Sequence, residues 1–438
     1  MSDSFFCKGI VLCFNCVPES VDVNIKYFWE ELAVALREKN FFLIVASTAE
    51  LNSNIFKTIQ IPFNLIDFHQ RYGASVVGDV DVEINEKIID LFKLYYNCDD
   101  DVAKKSIYLA DLFYSELLFA ISPSAVIGWQ STNIINFFVR KHSIARGIPY
   151  WSGERGLLKN TLMFDLGDNH SSSESMRSFT IQKIFENYSY NENRFNEIKE
   201  KYISNNPSGK YSSASLLSDE DFRYKYNIPL DAKVIVLFLH AEPEITASFE
   251  GSQFLKIHGI PPQTLAERIR LIERFCHENG IYLIVQDHPL NKYQPKKIEI
   301  LESQYIFLVE ENIHTLLRAG NCYIHTLSTV QYESVLYGKT IGLLAKSMLY
   351  MKQGAYHYED YSEVSGFMTD LLSENEWDTR LPNLKKRICF LHDYFLIKID
   401  DDNRHQEAER VSEKISFYEN PIDDSVINNI AVFLQKWE

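Results

Sequence analysis

Two stretches in the second half of the sequence combine an apolar, strand-like run with side chains that can bind an anion. The first run leads into His288 and Pro289, and the second leads into Thr326, Ser328 and Thr329. Open α/β sheets bind ligands at the carboxyl ends of their strands. A hydroxyl at a helix start caps backbone N–H groups, and these groups and the helix dipole favour an anion. The two stretches together therefore predict a site for a nucleotide phosphate.

The histidine and a nearby glutamate have specific parts in this prediction. Pro289 ends the strand and presents His288 outward, where it can donate to a phosphate or stabilise a departing nucleotide. Glu333 lies one turn into the helix predicted from Ser328 to Tyr337, where it can accept from ribose hydroxyls. The alternatives are a histidine that caps its own loop and an acid that only complements the helix dipole.

A third stretch places a carboxylate between two glycines. Gly153 and Gly156 bracket Glu154 and Arg155, and glycines let the backbone turn sharply and approach closely. A glutamate held there and facing a cleft suits general acid or base chemistry. The alternative is a tight surface turn that carries a Glu–Arg pair.

An acidic loop follows the apolar run Val234–His240. It contains Glu242 and Glu244, and sugar transfer through an oxocarbenium-like transition state uses carboxylates as acid, base or nucleophile. Glu154 and Glu244, one from each half of the chain, would form such a pair across a cleft. A solvated acidic loop is the alternative.

Other motifs carry less weight. The Asp79-Val80-Asp81 and Asp99-Asp100-Asp101 triplets follow no convincing buried strand, so we expect no metal site and no cofactor. Cys13 and Cys16 form a CxxC that could be a redox pair, or two cysteines around a strand end. The basic run Lys385-Lys386-Arg387 indicates a solvated helix face, with contact to anionic lipid as the alternative.

Composition restricts the class of protein. With 438 residues the chain can form two domains with full cores, and 46% hydrophobic and 24% charged residues are usual for a globular protein. The net charge of −16 argues against a nucleic-acid partner and requires local donors for any anionic ligand. We see no secretory signal and no apolar run near the ~20 residues of a membrane span, and seven cysteines favour a reducing cytoplasm.

The elements that must position these residues read as two α/β units. A strand over Lys8–Phe14, an amphipathic helix over Val23–Arg37 and a strand over Phe41–Ala46 form a βαβ unit. A second α/β unit begins at Val234, and the tail from Leu384 looks helical without a sheet partner. We predict two doubly wound, Rossmann-like lobes that face a cleft: residues 1–221, residues 222–378, and a helical tail over 379–438 that packs back on the lobes.

The sequence resembles the bacterial capsule and O-antigen transferases that add Kdo or a related ulosonic acid from a CMP-activated donor. That family's acidic-glycine segment is similar to Glu154-Arg155-Gly156 with Lys159, Thr161 and Asp165. Its HP motif is similar to His288-Pro289, and its Ser/Thr-rich helix start to Ser328-Thr329 with Glu333 and Gly338-Lys339. The likeness spans roughly residues 125 to 345 and depends on order and spacing.

The resemblance implies a GT-B fold without a metal, with the acceptor on the N-terminal lobe and CMP in the C-terminal lobe. It implies Glu154 as general acid/base, and Glu244, with Glu242 second, as nucleophile or electrostatic stabiliser, so that a double displacement would retain configuration. His288 would also assist the departing nucleotide. The implied CMP-sugar contacts are His288, Pro289, Thr326, Ser328, Thr329, Glu333, Arg155, Lys159 and Gln130.

Two positions depart from the family pattern. Asp287 stands where a basic residue often precedes the HP pair, and Glu244 stands where retaining Kdo members carry an aspartate. A pseudaminic, legionaminic or sialic-type acid fits the pattern as well. The acceptor implied is a glycan, lipid-linked, in capsule or lipopolysaccharide synthesis at the cytoplasmic face of the inner membrane. A GT-B transferase for UDP- or GDP-sugars and a non-catalytic module of a glycan-assembly complex are the alternatives.

Overall fold

Two β-sheets covered by helices organise the chain, as the alternation of apolar strands and amphipathic helices predicts. The computed structural model describes residues 7–15, 23–62, 65–75, 89–90, 92–93, 96–129, 134–167, 179–204, 215–240, 262–288, 299–326, 328–374, 376–420 and 424–437. Pro289, Gln130, Glu242 and Glu244 lie outside these residues, as do Cys16 and the triplet at 79–81.

The first sheet has seven strands among the described residues. They are β1 (Gly9–Asn15), β2 (Phe41–Ser47), β3 (Lys57–Gln60), β4 (Ala125–Trp129), β5 (Tyr150–Arg155), β6 (Thr161–Leu166) and β13 (Ile397–Lys398). Their order is β13-β6-β5-β4-β1-β2-β3; β6 runs antiparallel to both of its neighbours, β5 and β13, and all other pairs are parallel. Every residue of β1 and β4 is buried, as expected for central strands covered on both faces.

The second sheet has six strands among the described residues and is entirely parallel. They are β7 (Val234–Phe238), β8 (Tyr282–Gln286), β9 (Ile306–Val309), β10 (Cys322–His325), β11 (Thr340–Leu343) and β12 (Tyr356–His357). Their order is β12-β11-β10-β7-β8-β9. The winding therefore reverses between β7 and β10, which is the position where doubly wound sheets open a ligand crevice.

Helices cover both sheets. They are α1 (Val23–Glu38), α2 (Leu65–Tyr72), α3 (Asp100–Ile121), α4 (Ile134–Ala145), α5 (Phe179–Asn187), α6 (Glu192–Lys199), α7 (Asp219–Lys225), α8 (Pro262–Glu278), α9 (Ile313–Ala319), α10 (Val330–Tyr337), α11 (Val364–Ser373), α12 (Trp377–Phe390), α13 (Arg404–Ile415) and α14 (Asp424–Trp437). The Asp99–Asp101 triplet starts α3, where the Asp99 side chain accepts the Val102 N–H at 2.8 Å. An N-cap and two first-turn acids are the usual chemistry of a helix start.

The predicted fold class is confirmed: two Rossmann-like lobes with C-terminal helices form the GT-B architecture. Helix α7 crosses the predicted domain boundary at residue 221. It packs against α9 of the second lobe, and the Leu217 N–H beside it donates to Thr315 Oγ1 at 2.9 Å. By its contacts α7 belongs to the second lobe.

The segment from Gly153 to Gly156 is not the turn that two glycines predict. Gly153, Glu154 and Arg155 are the last residues of β5, which pairs antiparallel with β6, and the turn lies at Leu157–Asn160. A Cβ on Gly153 would lie 2.9 Å from the Gly128 carbonyl oxygen of the neighbouring strand. This glycine therefore permits close packing within the sheet.

The C-terminal tail is more than the helical extension that its sequence indicates. β13 joins the edge of the first sheet, with Ile397 opposite Leu162, so the expectation of no sheet partner was wrong. Two residues are too few to show an alternating pattern. Helix α13 then packs on α1 and α14 on α3, which returns the chain to the first lobe.

The basic run in α12 is not uniformly solvated. Lys385 pairs with Glu192 at 2.6 Å, and Lys386 donates to the Glu186 carbonyl oxygen at 3.1 Å. Arg387 is only 4% exposed, so the prediction of a solvated face was wrong for this residue. The physical reason is that α12 packs against α6 and α10, which cover this part of the helix.

The β5–β6 hairpin joins the two lobes. Leu157, Leu158 and Met163 are fully buried and belong to the hydrophobic core of the second sheet, whereas Leu162 and Phe164 belong to a core of the first lobe. Alternate residues of one strand therefore pack into different lobes. No helix within the described ranges is long and apolar enough to cross a membrane.

We expect Gly153→Ala to lower the free energy of unfolding by about 1–3 kcal/mol, because the added methyl overpacks the contact with β4. Urea denaturation measures this change. Ser152→Ala on the adjacent residue is the control, since its buried hydroxyl has no hydrogen-bond partner in the described part of the chain. Equal stability of Gly153→Ala and wild type would show that the sheet accommodates the methyl.

Candidate functional site

The switch point of the second sheet is lined by residues that come within two positions of the ends of β7 and β10. The His240 N–H donates to Thr326 Oγ1 at 2.8 Å, and the His240 Nδ1 lies 2.8 Å from the same oxygen. The Thr326 hydroxyl also lies 3.2 Å from the Phe238 carbonyl oxygen. These contacts tie together the ends of the two strands between which the ligand crevice is expected.

His288 follows β8 and lies near His240. Burial, with a smaller effect of His288, lowers the pKa of His240 to about 3. Burial also lowers the pKa of His288, against the opposing effect of Asp287, whose carboxylate accepts the His288 N–H at 2.8 Å. Both imidazoles are therefore neutral at pH 7. They can act on a phosphate as hydrogen-bond donors and not as cations.

The helix start that follows β10 is organised by its own backbone. Ser328 Oγ accepts the Val330 N–H at 3.3 Å, and the Gln331 and Tyr332 N–H groups donate to the carbonyl oxygens of Ser328 and Thr329. Thr329 is the N-cap residue but makes no side-chain cap, so α10 begins at Val330, two residues later than predicted. Gly338 ends it with a φ of 72°, as predicted. A phosphate bound at this helix start would have to replace the hydrogen bonds, 3.2–3.3 Å long, that the Val330 and Gln331 N–H groups make to Ser328.

Glu333 is 8% exposed and lies on α10. Tyr337 lies one turn later on the same helix face. Burial, with a smaller effect of Glu333, raises the pKa of Tyr337 to about 12. The Tyr337 hydroxyl in turn contacts His314 Nδ1 at 2.8 Å. The structure thus places Glu333 on the α10 face next to α9.

Glu154 faces the second lobe. It pairs in register with Met163, whose side chain lies in the core of that lobe. Its charge also acts on Tyr332 of α10: burial raises the pKa of this fully buried phenol, and Glu154 raises it further. The hairpin therefore places a carboxylate from the first lobe beside the helix that starts at the switch-point crevice.

The other predicted hairpin residues lie elsewhere. Arg155 pairs in register with Leu162, which belongs to a core of the first lobe, so its side chain leaves the hairpin on the face opposite Glu154. Lys159 lies in the hairpin turn, and its charge, after burial and Arg318, lowers the pKa of His314 on α9. Thr326 thus contacts His240, which lies within electrostatic range of His288, and Glu154 acts on Tyr332 in the first turn of α10. Arg155 leaves the hairpin on the opposite face.

Two histidines at the same sheet edge escaped the sequence prediction. In the sequence His240 stands at the end of an apolar run, and like His288 it is a polar residue that follows a buried strand. His357 ends β12 and is 1% exposed, and neither ring nitrogen has a hydrogen-bond partner among the described residues. Its ring centroid lies 4.5 Å from that of Tyr350. A two-residue strand carries too little pattern to reveal it.

The described residues near the switch point can supply hydrogen bonds and proton transfer. In the described ranges, no group of three or more His, Cys, Asp or Glu side chains is placed to hold a metal ion. The crevice offers neutral imidazoles and hydroxyls on the second lobe, and the first lobe offers one carboxylate next to α10.

Comparisons with known proteins give low similarity. No protein-family model matches the sequence, and no curated protein matches it significantly. Among solved structures, a Thermosulfurimonas dismutans KpsC described as a beta Kdo 2,4 transferase is 15% identical, with a TM-score of 0.42 over 61% of this chain and 79% of that one. The KpsC beta Kdo 2,7 transferase is 12% identical, with a TM-score of 0.38 over 80% and 96%.

A third solved structure, S. aureus MnaA with UDP, is 12% identical, with a TM-score of 0.38 over 93% of this chain and 96% of that one. Similarity at this level does not separate transferases from other two-lobed enzymes. The function of this chain therefore has to be argued from its own site.

We expect the buried neutral histidines to make the protein acid-sensitive. Burial lowers the pKa of His325 to about 3, so the unfolded chain binds its proton near pH 6.5 and the folded chain does not. The contribution of neutral His325 to the free energy of unfolding is therefore complete above pH 6.5 and is lost as the pH falls towards 3. His325→Gln should therefore reduce the stability loss between pH 7 and 5 by about 2 kcal/mol, measured by urea denaturation.

His405→Gln is the matched control for this experiment. Glu31 raises the pKa of the exposed His405, so its contribution has the opposite sign and weakens as the pH rises. His405→Gln should therefore not reduce the loss of stability between pH 7 and 5. An unchanged pH dependence in His325→Gln would contradict a neutral, buried His325.

Proposed function

We propose that the protein is a glycosyltransferase that moves Kdo or a related nonulosonic acid from a CMP-activated donor to a glycan acceptor. The observation that carries the proposal is the pairing of the two lobes at one place. His240, Thr326 and His288 follow strands of the second sheet at its switch-point end, and Glu154 of the first lobe acts electrostatically on Tyr332 of α10, the helix that follows β10. A nucleotide held by the first group would present its sugar to the second.

In this proposal the neutral histidines donate to the phosphate of the leaving CMP. Hydrogen bonds from preorganised donors stabilise charge that develops on a leaving group. His288 is the main candidate, and His240, held by Thr326, supports the same edge. Glu333 and the hydroxyls of Ser328 and Thr329 are the further donor contacts that the sequence predicts on and before α10.

Glu154 is the proposed general acid/base. Glu154 lies near the end of β5 and pairs with Met163, which is buried in the core of the other lobe. This packing would hold the carboxylate at a defined position. Glu244, with Glu242 second, remains the predicted nucleophile or stabiliser, and a double displacement would retain configuration. The acceptor is proposed to be a lipid-linked glycan that binds on the first lobe.

Glu154→Gln should reduce sugar transfer about 100- to 10,000-fold, because the amide cannot exchange a proton with the acceptor. The assay is mass spectrometry of a synthetic acceptor incubated with a panel of CMP-sugars. Glu278→Gln, an exposed acid at the end of α8, is the control and should retain full activity. Near-normal turnover of folded Glu154→Gln would refute the acid/base role.

The donor class is tested by thermal shift with CMP, UDP and GDP. CMP at 100 times its Kd should stabilise the protein by about 2.7 kcal/mol, whereas UDP and GDP should give no comparable shift. Thr326→Val removes the hydroxyl that positions His240 and should diminish the CMP shift, while Thr326→Ser keeps the hydroxyl and the shift. A larger shift with UDP or GDP would instead support a transferase for those sugars. The absence of any nucleotide shift would support a non-catalytic module.

A further inference from the structure

A buried guanidinium lies at the junction of the lobes. Arg387 on α12 is 4% exposed, and its Nε and Nη1 have no hydrogen-bond partner among the described residues. No carboxylate of the described residues forms an ion pair with the Arg387 guanidinium. Burial lowers the pKa of Arg387 to about 10, so the group is still charged at pH 7.

The protein compensates this charge only in part. The guanidinium carbon lies 3.9 Å from the centroid of the Phe185 ring, which is a favourable cation–π arrangement. Such a contact is weak compared with the cost of burying an ion without a counter-ion. A buried charge that lacks its partner is a position where an anionic ligand gains affinity.

Arg223 shows how a structural arginine in this chain is paired. It is 5% exposed, its Nε donates to Asp219 at 3.0 Å, and its Nη1 donates to the carbonyl oxygens of Pro229 and Ala232, both at 3.0 Å. Arg387 has equal burial and no comparable set of acceptors. The difference singles out Arg387 as a candidate for ligand binding.

The position of Arg387 agrees with the proposed donor site. Arg387 and Tyr332 act on each other electrostatically, and Glu154 acts on the same phenol. Tyr332 lies in the first turn of α10, which starts directly after the switch-point crevice. The guanidinium and the proposed acid/base therefore both lie within electrostatic range of the Tyr332 phenol.

We propose that Arg387 binds the carboxylate of an acidic sugar donor. The inference rests on the proposed function and names the residue that would select an acidic sugar at the same site. An ulosonic acid carries its carboxylate on the anomeric carbon, so a group that binds this carboxylate must lie close to the acid/base of the transfer step. Arginine is the residue best suited to it, because its planar fork matches a carboxylate. A neutral hexose offers no such partner.

The first test is the stability of the ligand-free protein. Arg387→Met keeps an apolar contact with Phe185 and removes the unpaired charge, so its melting temperature should equal or exceed that of wild type. Arg223→Met is the matched control and should melt at a lower temperature, because it leaves Asp219 without its partner. If both variants lose stability equally, Arg387 is a structural residue and the inference fails.

The second test is calorimetry with CMP, and with CMP-Kdo and CMP-N-acetylneuraminate as acids and as C1 methyl esters. Wild type should bind at least one acid about 10- to 100-fold more tightly than its ester, since a charge-assisted pair is lost in the ester. Arg387→Met should bind acid and ester equally and keep the wild-type affinity for CMP itself. Arg387→Lys should recover part of the preference.

The outcomes separate the two proposals. Wild type that binds CMP but does not prefer an acid to its ester would overturn the inference and leave the nucleotide assignment in place. A preference that persists in Arg387→Met would assign the carboxylate to another group. If no CMP compound binds, the proposed function fails, and the inference fails with it.

Discussion

The insertion of the β5–β6 hairpin into the second lobe is the contact on which the proposed site depends. Met163, Leu157 and Leu158 are withdrawn from water by the core of the second sheet, although the hairpin that carries them belongs to the first sheet. Each fully buried side chain of this kind contributes roughly 1.5–3 kcal/mol. Because Glu154 pairs in register with Met163, the same packing that joins the lobes also fixes the carboxylate next to α10.

The path of the chain reinforces this contact. The tail leaves the second lobe through α12 and adds β13 to β6, the strand that carries Met163. Helix α13 then packs against α1, and Glu407 on it pairs with Lys398 of β13 at 3.0 Å. The edge of the first sheet that carries the hairpin is thus braced by residues far away in sequence. A site between two lobes needs such bracing to hold catalytic groups in place.

The strands of the second lobe could be located from the sequence because buried parallel strands give clear signals. Continuous apolar runs end in polar residues at His288 and Thr326, and the strand order then follows from the doubly wound rule. The two glycines at 153 and 156 predict a sharp turn, whereas Gly153 lies in β5 and permits close packing against β4. Such a contact between strands is not visible in the local sequence pattern. β13 and β12 were too short for periodicity, and the burial of Arg387 depends on helices that pack on α12.

The net charge of the chain limits how the proposed site could hold its ligand. A chain with a net charge of −16 repels anions at long range, so an anionic donor such as a CMP-sugar would have to be held by short-range donors. His240 and His288, neutral through burial, supply hydrogen bonds without a pH-dependent charge. Neutral donors do not select an acidic sugar over a neutral one. That selection requires a fixed charge near the reacting carbon, and we propose Arg387 as its source, because its guanidinium stays protonated at pH 7 although burial lowers its pKa to about 10.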